Sequence, residues 1–150
     1  MIITQKFINR CDLQKNPDVM YLFGDNTRRR GMGGQAGHMR NEPNAIGVAT
    51  KMLPSQMDNS YFSDDDIFNN IKVMWDDLKP AFIHLTHKNR LLVIPEDGLG
   101  TGLSELPTRA PRTNRALTAM LQHLYVVDKS LRPSETYLDL TKLYDAYLQR

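Results

Sequence analysis

With one cysteine, Cys11, in 150 residues, the chain can form no internal disulfide. A lone cysteine of this kind reads as a half-buried small apolar side chain. No second cysteine and no spaced histidines supply a zinc pattern, so neither a metal nor a cofactor is expected. No run of about 18 apolar residues is present, so no membrane span is expected. The start lacks a basic stretch followed by an apolar one, so no signal peptide is expected either. A reducing cytoplasm is the compartment that fits. Charge of one sign is also missing: 19 basic against 17 acidic residues leave a net +2. That balance argues against nucleic-acid binding on total charge, and Arg28, Arg29 and Arg30 form the one obvious basic cluster. Internal repeats, low-complexity tracts and linkers are absent. What remains is an ordinary globular balance, 41% hydrophobic and 24% charged, and a length that suits one domain with one core.

The apolar residues fall in short runs. Residues 1–7 read as an edge strand, and residues 12–18, polar and holding Pro17, read as a connection. Residues 19–23 and 45–49 are apolar runs of the kind buried strands show, and residues 91–95 are the clearest strand. Ser63 reads as a helix N-cap with Asp64, Asp65 and Asp66 in the first turn, where negative charge suits the dipole; three adjacent acids cannot converge on one ion. Ile67, Ile71, Met74, Trp75 and Leu78 continue at helical spacing, with Trp75 on the core face, and Pro80 is expected to end that helix. His84 and His87 read as structural or exposed. Residues 35–40 suggest a short helix. Residues 113–125 carry Leu117, Met120, Leu121 and Leu124 on one face, and residues 135–149 carry Tyr137, Leu140, Tyr144 and Tyr147 at the same period. Strands alternating with helices predict an α/β fold with a mostly parallel, mixed sheet flanked by helices and a C-terminal helix.

Two glycine-rich loops stand out. The first runs from Gly24-Asp25-Asn26 through Arg30-Gly31-Met32-Gly33-Gly34-Gln35-Ala36-Gly37 and joins a strand to a helix. The second, Pro95-Glu96-Asp97-Gly98-Leu99-Gly100-Thr101-Gly102-Leu103-Ser104-Glu105-Leu106-Pro107, also follows a buried strand and precedes a helix. Glycine lets backbone approach a ligand closely, and successive N–H groups make an anion site. The first loop is neither a Walker A sequence nor a dinucleotide fingerprint in its usual setting. In a parallel sheet both lie at the same edge, where they can grip one diphosphate from two sides. Asp25 and Asn26, at a strand's carboxyl end, are expected to face a ligand, against the alternative of a local Asx turn.

These residues resemble a macrodomain. Asn26, Gly33, Gly34, Ala36 and Gly37 match the family's first motif, and Pro95, Gly100, Thr101 and Gly102 match its second. The stretch 24–33, the strand end Thr50-Lys51 and the run Gly100-Thr101-Gly102-Leu103 are most similar to the terminal ADP-ribose protein glycohydrolase branch. The segment 98–103 and the stretch 107–112 also resemble macro-like proteins of large tailed phages, a likeness that carries no function.

The resemblance implies ADP-ribose binding, by Asn26, Gly33, Gly34, Gln35 and Ala36 from the first loop and Gly98, Gly100, Thr101, Gly102, Leu103 and Ser104 from the second. In the glycohydrolase branch a lysine attacks the anomeric carbon and an aspartate completes hydrolysis. Lys51 matches the lysine, but Ser104 stands at the aspartate position, which leaves Asp25, Asp97 and Glu105 open for that step. Read without the resemblance, a lysine at a strand end is first a solvated surface charge. The partner is then an ADP-ribose-like small molecule or an ADP-ribosylated protein. The alternative is a non-catalytic module that binds a protein partner on a macrodomain-like fold.

Overall fold

The computed structural model describes residues 1–87 and 90–131. Their elements run β1 (Ile2–Gln5), α1 (Arg10–Lys15), β2 (Met20–Asn26), α2 (Ala36–Met39), β3 (Ala45–Lys51), α3 (Ile67–Leu85), β4 (Leu92–Pro95), α4 (Leu106–Arg109) and α5 (Pro111–Leu131). Short 3-10 turns occupy Asp58–Ser60 and Asp64–Asp66 before α3. The helix expected over 135–149 lies outside the described residues.

The protein is α/β. Among the described residues a four-stranded sheet has the order β1-β4-β2-β3, and every strand pairing is parallel. The antiparallel part of the expected mixed sheet is confined to one bridge between Lys51 and Tyr61. Strand alternation sends side chains to two separate cores. Tyr21, Phe23 and Val93 pack with Leu13 of α1 and with Ala36 and Met39 of α2. Leu22, Ile46, Val48, Leu92 and Ile94 pack with Met74, Leu78 and Ala81 of α3 and Leu117, Met120 and Leu124 of α5. Burial on both faces is why these strands read as unbroken apolar runs.

Several expectations change. Residues 12–18 are not a plain connection, because Asn9 caps α1: its side chain accepts from Asp12 N–H while the Asp12 carboxylate accepts from Asn9 N–H. Pro80 does not end α3, which runs on to Leu85 and buries Ala81, His84 and Leu85 beyond it. Cys11 is exposed. Trp75 is 40% exposed and packs laterally against the rings of Phe82 and His123, at 5.3 and 6.3 Å between centroids. Ser63 does cap the turn over Asp64–Asp66, its hydroxyl accepting from Asp65 N–H.

This topology locates the site. β2 and β4 are neighbours, but the chain leaves β2 for the α1/α2 layer and leaves β4 for the α3/α5 layer. Connections that depart to opposite faces open a crevice at the carboxyl ends of the strands, where open α/β sheets bind ligands.

Candidate functional site

A cleft of about 550 Å³ occupies that crevice. It falls within the size range of small-molecule sites. Both glycine loops line it. Asn26, Gly33, Gly34, Gln35 and Ala36 contribute from the first, and Gly98, Gly100, Thr101, Gly102, Leu103 and Ser104 from the second. Asp25, Lys51 and Asp97 line it as well, whereas Gly37, Pro95 and Glu105, also singled out in the sequence, do not. Pro54, Ser55 and Gln56, after β3, form a third wall that carries no sequence signature.

The loop backbones are unsatisfied where they meet the cleft. Among the described residues, the N–H groups of Gly33, Gly34, Thr101, Gly102 and Leu103 have no protein acceptor. Gly98 and Gly100 take φ of 81° and 78°, alternating in sign with Leu99 and Thr101. Alternation of this kind turns consecutive N–H groups toward a common concavity that suits an anion. Gly100 has a second constraint: a Cβ there would lie 3.0 Å from Leu106 side-chain atoms and 3.3 Å from Thr50 Cβ.

Asp25 and Asn26 hold the first loop in shape. Asn26 Nδ2 donates to Arg30 O at 2.6 Å, and Asn26 Oδ1 accepts from Arg28 N–H at 3.0 Å, which is the local Asx-type turn. Asn26 thus lines the cleft while each end of its amide is also engaged by its own loop. The Asp25 carboxylate is gripped by both terminal nitrogens of Arg40 and approached by Arg29 at 3.6 Å. Two guanidiniums and the Asn26 N–H occupy its lone pairs, which leaves it poorly placed as a base. Arg40, which sequence reasoning missed, also donates to the carbonyls of Gly31 and Arg30 and so ties α2 back to the loop.

Lys51 is not a solvated surface charge. It is 7% exposed, its Nζ donates to Leu103 O at 3.3 Å, and it lies 4.5 Å from the centroid of the Tyr61 ring. Burial pushes its pKa below the ordinary lysine value; Glu105 opposes that shift and Arg109 adds to it. Ser104 directs its hydroxyl to Thr50, with 2.6 Å between the oxygens, so no carboxylate occupies that position. Asp97 sits on the exposed side of the second loop, where its carbonyl accepts from the Thr101 hydroxyl at 3.0 Å. Among the described residues no group of His, Cys, Asp and Glu is arranged to hold a metal, and no helix is long and apolar enough to cross a membrane.

No curated protein and no solved structure matches the chain. A family model described as a family of unknown function, DUF7831, matches residues 3–120, a stretch that includes both glycine loops, Lys51 and the Asp25–Arg40 pair. The chain belongs to that family of unknown function, DUF7831.

Proposed function

We propose that the cleft binds ADP-ribose or a related nucleotide metabolite, and that Lys51 gives it the chemistry of a de-ADP-ribosylating glycohydrolase in the manner of the macrodomains the sequence resembles. One observation carries this reading. Two glycine loops far apart in the chain meet across one cleft with unpaired N–H groups on both sides and a desolvated lysine at its wall. N–H donors without a protein partner on both loops are the groups that the oxygens of a diphosphate require.

Burial raises the neutral fraction of the Lys51 amine, which is the nucleophilic form. In the reaction the amine attacks the anomeric carbon of an ester-linked ribose, the ribose–carboxylate bond breaks, and the protein carboxyl group leaves. Water then cleaves the ribosyl–lysine bond and returns the amine.

Gly102 provides a clean test. Gly102 lines the cleft and a Cβ there meets nothing within 4 Å, so Gly102→Glu adds a carboxylate at the cleft wall without a clash at Cβ. Calorimetric titration of ADP-ribose into the wild-type protein is expected to saturate, and Gly102→Glu is expected to weaken it by at least about tenfold, or ~1.4 kcal/mol. Lys51→Ala is expected to bind and to lose release of ADP-ribose from an ADP-ribosylated glutamate substrate. Absence of heat with millimolar ligand would overturn the reading in favour of a protein-interaction module. Exposed Met32 and Met57, 57% and 69% accessible, would then be adaptable contact residues of that module.

A further inference from the structure

Beside Lys51, the described residues Tyr61, Glu105 and Arg109 form a cluster that does not line the cleft. Tyr61, 9% exposed, follows the turn at Asp58–Ser60. Its ring takes Lys51 Nζ at 4.5 Å and the Arg109 guanidinium at 4.0 Å from the centroid, so one aromatic ring carries two cations. Burial, and after it the Glu105 carboxylate, push the pKa of its hydroxyl above the ordinary value. Glu105 in turn pairs with Arg109 at 3.5 Å, one turn along α4. Glu105 also adopts left-handed backbone, φ 47° and ψ 32°, an uncommon conformation for a residue with a Cβ. It stands immediately after Ser104, the position that lacks an acid.

We propose that Glu105 and Arg109 are an opposed pair of positioning residues that govern the reactivity of the Lys51 amine from outside the cleft, with the Tyr61 ring holding the three groups in register. The signs follow from charge alone. A carboxylate near the amine favours the ammonium form, and a guanidinium favours the neutral amine. The charged groups acting on Lys51 among the described residues are Glu105, which precedes α4, and Arg109 at its end. Asp58 acts on this set through Arg109, 3.3 Å away. Asp25 on β2 is engaged by Arg40 and Arg29, and Asp97 lies on the exposed second loop. That Lys51 uses its reactivity on a ribosyl ester rests on the function proposed above; its tuning by the pair does not.

The test therefore needs no nucleotide. Acetylation of Lys51 by an N-hydroxysuccinimide ester is followed by peptide mass spectrometry across a pH series, with exposed Lys15 as the internal reference. Glu105→Gln is expected to lower the pH midpoint of Lys51 acetylation by roughly half a unit, about threefold in rate below the midpoint, and Arg109→Met to raise it by a similar amount. Tyr61→Leu is expected to shrink both displacements, and Tyr61→Phe to keep that of Arg109→Met. Shifts of the same sign in Glu105→Gln and Arg109→Met, or none in either with the fold intact by circular dichroism, would overturn the proposal. A positive result with no ADP-ribose binding would sink the ligand and leave the tuning standing.

Discussion

Gly47 and Asp25 illustrate how one missing side chain supports a network. The Asp25 carboxylate lies over Gly47 of β3, and a Cβ there would come within 2.6 Å of Asp25 Oδ2 and 3.0 Å of Phe23 Cζ. Asp25 cannot withdraw easily, because Arg40 holds both its oxygens. Arg29, on the same carboxylate, extends to Asp77 of α3 at 2.6 Å, and Asp77 accepts from Ala49 N–H at 2.8 Å. The chain of contacts joins β2, the first loop, α2, α3 and β3. Gly47→Ala is expected to cost about 2 kcal/mol, the range of an overpacked core site. Gly102→Ala, open on all sides, should stay within about 0.5 kcal/mol of wild type. Urea unfolding of the two variants checks the contrast, and equal midpoints would mean that Asp25 yields without loss.

At the scale of elements, α3 carries a proline that does not stop it. Pro80 is exposed, its missing N–H would have bonded Asp76 O, and the helix continues because Ala81 and Leu85 still complete the core beside Leu78. A buried leucine contributes about 1.5–3 kcal/mol, enough to offset the lost bond. Pro80→Ala is expected to stabilise the protein by about 1 kcal/mol, since the recovered helix bond exceeds the entropy that proline removes from the unfolded chain. A thermal scan showing a lower Tm would mean that the ring itself is needed. The same helix shows what sequence pattern conveys. β2, β3 and β4 were legible because burial on two faces leaves runs such as Leu92-Val93-Ile94, and the loops were legible from glycine. α1 was missed because it buries only Leu13; its signal was the Asn9–Asp12 capping pair. The burial of Lys51 was not legible, since Tyr61 and Leu103, both distant in sequence, create it. Arg40 was hidden for the same reason: nothing in residues 35–40 announces that its guanidinium returns to Asp25.

Across the whole molecule the sheet is clamped between helical layers, and one buried histidine registers how they fit. His84, at the end of α3, is 5% exposed with Nε2 2.8 Å from Leu91 O, at the entrance to β4. Burial holds its pKa below the ordinary 6.5; the Leu91 hydrogen bond opposes this, and the positive charge of Arg90 assists it. The folded state thus favours neutral imidazole, while the unfolded chain takes up a proton near the ordinary value. Wherever the unfolded state binds more protons, stability rises with pH. The stabilisation is therefore complete above about pH 7 and is lost as pH falls through 6.5 toward the lower folded value. Asp64 adds a second, more acidic step. Burial would raise its pKa, but bonds from the N–H groups of Arg112 and Thr113 and from the Thr113 hydroxyl outweigh that and hold it below 3.8. Its contribution is full above that value and lost only in stronger acid. Urea midpoints taken between about pH 7 and about pH 5 are thus expected to fall for the wild-type protein and to flatten in His84→Gln, whose amide can still donate to Leu91 O. Parallel slopes in the two proteins would assign the transition to another group, because a histidine that does not titrate across that window cannot couple the α3–β4 junction to pH.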